Sequence, residues 1–529
     1  MNTLYDQIPF GSKLSEPRDL NTRKHRHMLL AIACTLLAAI VWFIPLPVPA
    51  FVKPFLTVVI AFLPFCGILV FRYAFFTCLL FVGFAFFRFH EVYPPLRPLR
   101  IPLMLSLAVL GVLCYNLFLS RKIRVYWEHE LTPFALFAGW SLLGMFFATN
   151  FGASKQFFLD TYVKIIIMTF AIAWSIREPK QFMAAIKFFV VAGIIVGVVA
   201  IYNKLMGIGL VEGTRVTIAR HLRSPLGDPN DLSLRLLFPL SFALSLIMVP
   251  KSYWVKLFGG FASFTMIWAI VATQSRGGLL GLLAVLGVIG ERYIKSKVVL
   301  GGIGGIAAIG LFSIMGINNR SSGGSAEEGV DASAQARLDT WDTAWNMAVQ
   351  NPIFGVGWQN FYTNYFLYLR VPGDGKPHVV HSTWFGALAE NGFIAFFFLV
   401  AMIIFMTWRL LKMYKLYTYR RADESIRTAT LAVLAGLAGF CVSGTFLTQA
   451  HTWSLYLLLA LCVALSKYSR TFIAETQEKA DDGYYDRPPP AEIKISSRSE
   501  NLWEKSSQHL ERVRWDPDLD IGSKTRRQK

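Results

Sequence analysis

The sequence predicts an all-α polytopic membrane protein of about 12–14 transmembrane helices, with a large extracytoplasmic loop carrying short helices. Three observations predict it. The 529 residues are 54% hydrophobic and only 16% charged, with a mean hydropathy of +0.46, a balance of helical membrane proteins rather than soluble domains. Apolar stretches close to the ~20 residues that cross a hydrocarbon core recur along the chain. One parity of crossing then places nearly all the basic connections on the same side, as orientation by Lys and Arg requires.

In order, residues 1–28 are polar and basic and read as a cytoplasmic N-terminus. They show no cleavable signal pattern, because the run from Leu29 to Val48 is long enough to span and has no small-residue cleavage site. N-terminal spans fill 29–205, at 29–48, 53–71, 73–89, 101–119, 132–149, 160–176 and 182–205. A first extracytoplasmic loop follows at 206–231, then central spans over 232–315, at 232–249, 254–273, 278–290 and 298–315. The large extracytoplasmic loop takes 316–390, and C-terminal spans take 391–466, at 391–408, 428–446 and 450–466. The tail, 467–529, mixes charges with few aliphatics and reads as a disordered cytoplasmic segment, since it cannot bury enough apolar surface to fold alone. Trp503 and Trp515 offer anchors for a cytoplasmic partner, although a solvated tail is the favoured reading.

With Arg23, Lys24 and Arg26 inside, the same side receives Arg121, Lys122 and Arg124, then Arg177 and Lys180, Lys251 and Lys256, and Arg292, Lys295 and Lys297. The connection with Arg409, Lys412, Lys415, Arg420 and Arg421 falls there too. Loops 206–231 and 316–390, the turn from Gln274 to Gly278 and the turn from Thr448 to His451 fall outside, with Arg97 and Arg100 the exception. The net charge of +19 therefore sets orientation and needs no nucleic-acid partner. All six cysteines lie in apolar runs, which disfavours a disulfide framework or a cysteine-bound metal. No internal repeat supports an inverted-repeat transporter.

The stretch from Asn318 to Gly392 holds the chemistry, because a loop of that length among short connections is functional or disordered. It contains a helix from Ala336 to Gln350, the turn NPIFGVGWQNF and then HVVHSTWFGALAENG. Arginines converge from separate outer connections: Arg220 and Arg223 before SPLGDPND, Arg276 in TQSRGG, and Arg337 on the loop helix. Guanidinium forks suit a diphosphate. For Arg215 the favoured reading is simple snorkelling to the interface. SPLGDPN is a turn by composition, with Asp228 and Asn230 in it and Asp231 or Ser233 available to cap the next helix. His381 sits just before a helix over about 382–408, which Ser382 or Thr383 caps and which is long enough to lift His381 above the hydrocarbon and hold Glu390 near the interface. Positive neighbours disfavour imidazolium, leaving His381 able to accept a proton. His378 lies three residues away, but no carboxylate or cysteine completes a metal set. The aromatics Trp358, Phe361, Tyr362, Tyr365, Phe366 and Tyr368 read as an interfacial belt in preference to a sugar platform.

SPLGDPNDLSLRLLFPL, TQSRGGLLGLL, RLDTWDTAWNMAVQNPIFGVGWQNF and HSTWFGALAENGFIAFFF, in that order over roughly residues 205 to 410, resemble the O-antigen ligase and polymerase superfamily of bacterial envelope proteins. That resemblance implies an inner-membrane enzyme with its active site facing the periplasm. It implies inverting, metal-independent transfer of a glycan from undecaprenyl diphosphate to the hydroxyl of a glycan or lipid-core acceptor, without a cofactor. Carried over by motif, His381 is the base, and Arg276 with Arg223 or Arg220 holds the diphosphate, Arg337 assisting or bracing. Asp228, Asn230 and Glu390 are supporting residues. The family often has Asn after the histidine where this chain has Ser382, and several arginines crowd the GDPN motif here. Protein O-glycosylation is the same chemistry with another acceptor. A small-solute or anion transporter is the reading from a different class; charge concentrated in outer loops rather than at the bilayer midplane favours the enzyme.

Overall fold

A computed structural model describes residues 73–120, 125–222, 224–314, 332–370 and 377–481, with isolated positions 32, 35, 36, 39 and 70. The expected spans 29–48 and 53–71, Arg223, and the tail from 482 lie outside the described residues. Every regular element among them is helical and no strand forms. In chain order the helices are α1 (Ala74–Ala85), α2 (Ile101–Leu119), α3 (Leu131–Phe147), α4 (Phe151–Ser175), α5 (Pro179–Leu205), α6 (Pro229–Met248) and α7 (Tyr253–Thr273). There follow α8 (Arg276–Gly290), α9 (Lys297–Ile314), α10 (Ala332–Gln350), α11 (Phe361–Tyr368), α12 (Thr383–Tyr419), α13 (Glu424–Gly444) and α14 (Trp453–Asp481). Eight of them, α2, α4 to α7 and α12 to α14, are long and apolar enough to cross a membrane, and α1, α3, α8 and α9 are shorter apolar helices. These twelve coincide with the twelve spans expected from residue 73 onward.

α6 is the centre. Its sequence is apolar almost all round, as a helix surrounded by neighbours requires, and it packs against α5, α7, α8 and α13. Of its apolar window 78% is buried, against 22% for α2, which stands at the periphery. α8 and α13 approach closely through small residues. A Cβ on Gly281 would lie 2.9 Å from Ser443 Cβ, and one on Gly439 2.6 Å from Val285, the close backbone approach that glycine permits between membrane helices.

α12 departs from its expected bounds in two ways. It continues to Tyr419, so Arg409, Lys412 and Lys415 ride on a helical extension rather than in a connection. Arg409 Nε lies 3.2 Å from the buried Glu130 carboxylate, to which the Ser466 hydroxyl also donates. The helix is also broken near its start, where Gly392 has φ +77° and ψ 176°. The turn after α10 fills the break: Val356 and Gly357 N–H donate to the Ala389 and Glu390 carbonyls at 2.9 and 3.0 Å, and Phe393 N–H donates to Pro352 at 2.8 Å. Backbone groups freed by the kink are thus satisfied inside the protein, which membrane depth demands. A Cβ at Gly392 would lie 2.4 Å from the Ile353 carbonyl, so only glycine fits the crossing.

α10 begins at Ala332, four residues before the expected start, and packs on α12. Ala344 and Met347 close a small core there with Val356, Phe361, Tyr365, Val380 and Ala389. From Arg470 to its end at Asp481, α14 belongs to a second unit.

Candidate functional site

Asp228 caps α6, accepting from the Asn230 and Asp231 N–H groups at 2.8 and 3.1 Å. The Asn230 side-chain oxygen then accepts twice, from Ser275 Oγ at 2.8 Å and from Arg215 Nη2 at 2.9 Å. Ser275 in turn caps α8 through Gly278 N–H at 3.1 Å, and Arg215 Nε donates to the Thr273 carbonyl at 3.2 Å. One amide oxygen therefore ties the 206–228 connection to the starts of α6 and α8. Gln274, with φ +50°, ends α7 and lets a two-residue link reverse the chain. Arg276, the first residue of α8, stands half-buried beside this clamp.

Arg215 corrects the snorkelling reading. It is only 8% exposed, Glu212 lies 3.6 Å away, and its donors are spent on protein oxygens. Burial lowers its pKa from the ordinary guanidinium value, Glu212 and Asp228 oppose that, and Arg337 adds to it.

On the opposite wall His381 takes a left-handed backbone, φ +45°, immediately before Ser382, which caps α12 through Phe385 N–H at 3.4 Å. Thr383 does different work. Its hydroxyl donates to the Leu447 carbonyl at 2.6 Å and accepts from Gln449 N–H at 3.1 Å. Gln449 Nε2 reaches Asp231 at 2.7 Å, which joins the α13–α14 turn to the start of α6. From the large loop, Trp341 Nε1 donates to the Val380 carbonyl at 3.1 Å, and the indole stacks on Phe385 at 5.4 Å. Arg337, one turn earlier on α10, lays its guanidinium 5.9 Å from the Phe446 ring centre. Burial first, then Arg337 and, more weakly, His378, hold the His381 imidazole below its usual pKa, while Asp228 pulls the other way. Arg337 and Asp228 thus act on both His381 and Arg215, which places all four in one electrostatic environment.

The other predicted residues fall elsewhere. Arg220 has an exposed side chain on a short turn (Arg220–Leu222), and Arg223 lies outside the described residues. His378 is half-buried and edge-on to Tyr365 at 6.0 Å. Among the described residues, no group of three or more His, Cys, Asp or Glu could hold a metal ion. Glu390 is buried beneath the aromatic turn, where it accepts from Phe361 N–H at 3.4 Å. The belt reading fails for Trp358, Phe361 and Tyr365, which are buried in protein, while Tyr362 and Phe366 remain exposed. Trp358 stacks on Phe158 at 5.3 Å and meets Tyr162 and His451 edge-on at 4.7 and 5.1 Å. The roles of Arg215, Gln449 and His451 were missed. Nothing in the local sequence of Arg215 separates it from its neighbours, and the other two lie in a short turn that read only as an outer connection.

Fold and site together define a polytopic membrane protein with a polar, arginine-rich centre built from the connections at one end of its helix bundle. Residues 261–400 match the family model described as O-antigen ligase, which supports the O-antigen ligase and polymerase superfamily and, in general terms, a membrane function in ligating or polymerising glycans. The matched segment takes in Arg276, Arg337, His381 and Glu390 but not the 206–231 loop. No curated protein matches the chain.

Proposed function

We propose that this protein transfers a glycan from undecaprenyl diphosphate to an acceptor hydroxyl, with inversion and without a metal. The observation that carries the reading is that Arg337 and Asp228 both act on the charge of His381, Asp228 heading the segment whose Asn230 clamps Ser275, next to Arg276. In the transfer the acceptor oxygen forms the new bond to the anomeric carbon and its proton passes to neutral His381. The bond from that carbon to the diphosphate oxygen breaks, and the electron pair leaves on the lipid diphosphate. Arg276 and Arg337 stabilise the charge that develops there, in a site already ordered before substrate arrives. Arg215, whose donors already face Thr273 and Asn230, braces the two walls. Asp228 orients the start of α6 and balances the arginines.

The test uses purified full-length protein in a bilayer, lipid-diphosphate glycan, a chelator, and products followed by mass. Longer lipid-linked glycans mean a polymerase, and glycan on an added core lipid means a ligase. His381→Ala should lower the rate by about 10²–10⁴-fold, and Arg276→Lys should restore only part of what Arg276→Ala loses, since an ammonium does not fork onto two phosphate oxygens. Wild-type transfer by His381→Ala would remove the base assignment.

A further inference from the structure

Beside the arginine centre lies a cavity of about 500 Å³ that contains neither His381 nor the arginines around it. Its wall includes Pro225, Val380 and Thr448, each on a segment that also builds the centre: Pro225 precedes Asp228, Val380 adjoins His381, and Thr448 adjoins Gln449. Cavity and centre therefore share a partition. The volume falls within the roughly 300–1,000 Å³ of small-molecule sites.

The lining is unusual for the neighbourhood of apolar spans. Arg235 lies six residues into α6, about 9 Å along it, and Glu390 seven residues into α12, about 10 Å. Both line the cavity. Ionisable residues within spanning helices are rare, face cavities and mark substrate paths. Asp231 and Glu91 lie near enough to Arg235 to act on its charge, yet each acidic group around the cavity is held by another partner. Arg88, also in the lining, is forked onto Glu91. Glu390 is engaged by the Phe361 backbone. Asp231, one turn before Arg235, bonds Gln449. Among the described residues Arg235 makes no ion pair; its guanidinium donates to the Phe86 carbonyl at 2.6 Å and rests 5.4 Å from the Phe86 ring centre. Tyr362, Gln359 and Thr452 add an aromatic face, an amide and a hydroxyl, the donors, acceptors and flat surface that a sugar ring uses.

We propose that this cavity is a carbohydrate subsite for an acidic sugar unit, whose carboxylate the Arg235 guanidinium takes. The assignment of that unit to glycan undergoing transfer rests on the function proposed above; the subsite itself does not. An incoming carboxylate would make the fork that Arg235 lacks.

Binding is measured by saturation-transfer NMR on full-length protein in nanodiscs, with D-glucuronic acid and D-glucose as probes. Glucuronate should bind in clear preference to glucose, in the wild type and in His381→Ala alike. Arg235→Gln should weaken it about tenfold or more, the effect of losing a hydrogen bond to a charged group. Equal binding of the two sugars, or glucuronate binding that survives Arg235→Gln, overturns the proposal. Should Arg235→Gln fail to fold, Tyr362→Ala alters an exposed cavity side chain and should weaken glucuronate binding; unchanged binding overturns the proposal. In transfer assays with acidic glycans, a raised KM in Arg235→Gln for the acceptor or for the donor supports the subsite and says which of them fills it. A wild type that binds glucuronate through Arg235 yet transfers nothing leaves the subsite standing and removes the proposed function.

Discussion

His381 owes its character to surroundings supplied by separate segments of the chain. Its imidazole is lowered from its ordinary pKa by burial and by Arg337, with Asp228 opposing. A base must be neutral to accept a proton, so a lowered pKa means the working form already dominates at neutral pH. The initial rate measured over about pH 5 to 8 should be flat near neutrality and fall only below the ordinary imidazole range. Arg337→Gln removes a positive charge, raises the imidazole pKa and should move the acid limb to higher pH; Asp228→Asn should move it to lower pH. A limb that neither variant shifts would show that another group titrates. His381, Arg276 and Arg337 drew attention in the sequence because each stands in a motif with a chemical rationale. Arg215 was not, because burial rather than residue type decides between a snorkelling arginine and a clamp, and burial depends on a contact with Asn230 fifteen residues away.

The docking of the 352–358 turn into the break of α12 holds the large loop against the bundle. Trp358 is its plug, 2% exposed and enclosed by Phe158, Tyr162 and His451, while Ser154 Oγ donates to its carbonyl at 2.8 Å. Trp358→Ala should destabilise the fold by about 3–5 kcal/mol, the range for a buried aromatic, seen as a lower melting temperature. His451 makes the same joint acid-sensitive. Its ring is fully enclosed, accepts from the Asn391 amide at 3.3 Å, and has its pKa lowered by burial to about 3. The folded value lies below the unfolded one, so this contribution is complete above the unfolded pKa and is lost as pH falls toward the folded value, at up to about 1.4 kcal/mol per pH unit. Melting temperature against pH should slope through that window and flatten in His451→Gln; an unchanged slope would exclude His451 as its source. The apolar periods located the helices, since each expected span from residue 73 on became one. They did not locate the ends of α12. Asn391–Gly392 is a turn signal, but its apolar flanks carried the helix reading through it. The charged run after Trp408 read as loop because periodicity reports apolar faces, whereas here a helix is extended by Glu130 pairing with Arg409.

Across the bundle, hydrogen bonds gather alternate connections at one end. The α1–α2 link meets the α5–α6 loop through Glu91 and Ser224. The α3–α4 link meets the large loop through Thr149 N–H and the Val356 carbonyl at 3.0 Å. Asn230 meets Ser275, and Thr383 meets Leu447. The connections left for the other end hold Arg177, Lys251, Arg292, Lys295, Arg420 and Arg421. The pattern supports the orientation read from charge alone, in which the basic end stays in the cytoplasm and the arginine centre faces out. The site end is not free of arginine, but Arg215 clamps protein oxygens within the folded centre and Arg276 and Arg337 carry the proposed donor-binding role there. Arg97 and Arg100 are exposed at that end and have no such account. The proposed lipid-linked donor would enter from the bilayer, so orientation decides which leaflet supplies it. Truncated fusions test this directly. Alkaline phosphatase joined after residue 370 should be active and a fluorescent protein there dark, with the reverse after residue 421. A fluorescent fusion after 370 would invert the molecule, place the centre on the cytoplasmic side and remove the proposed source of donor.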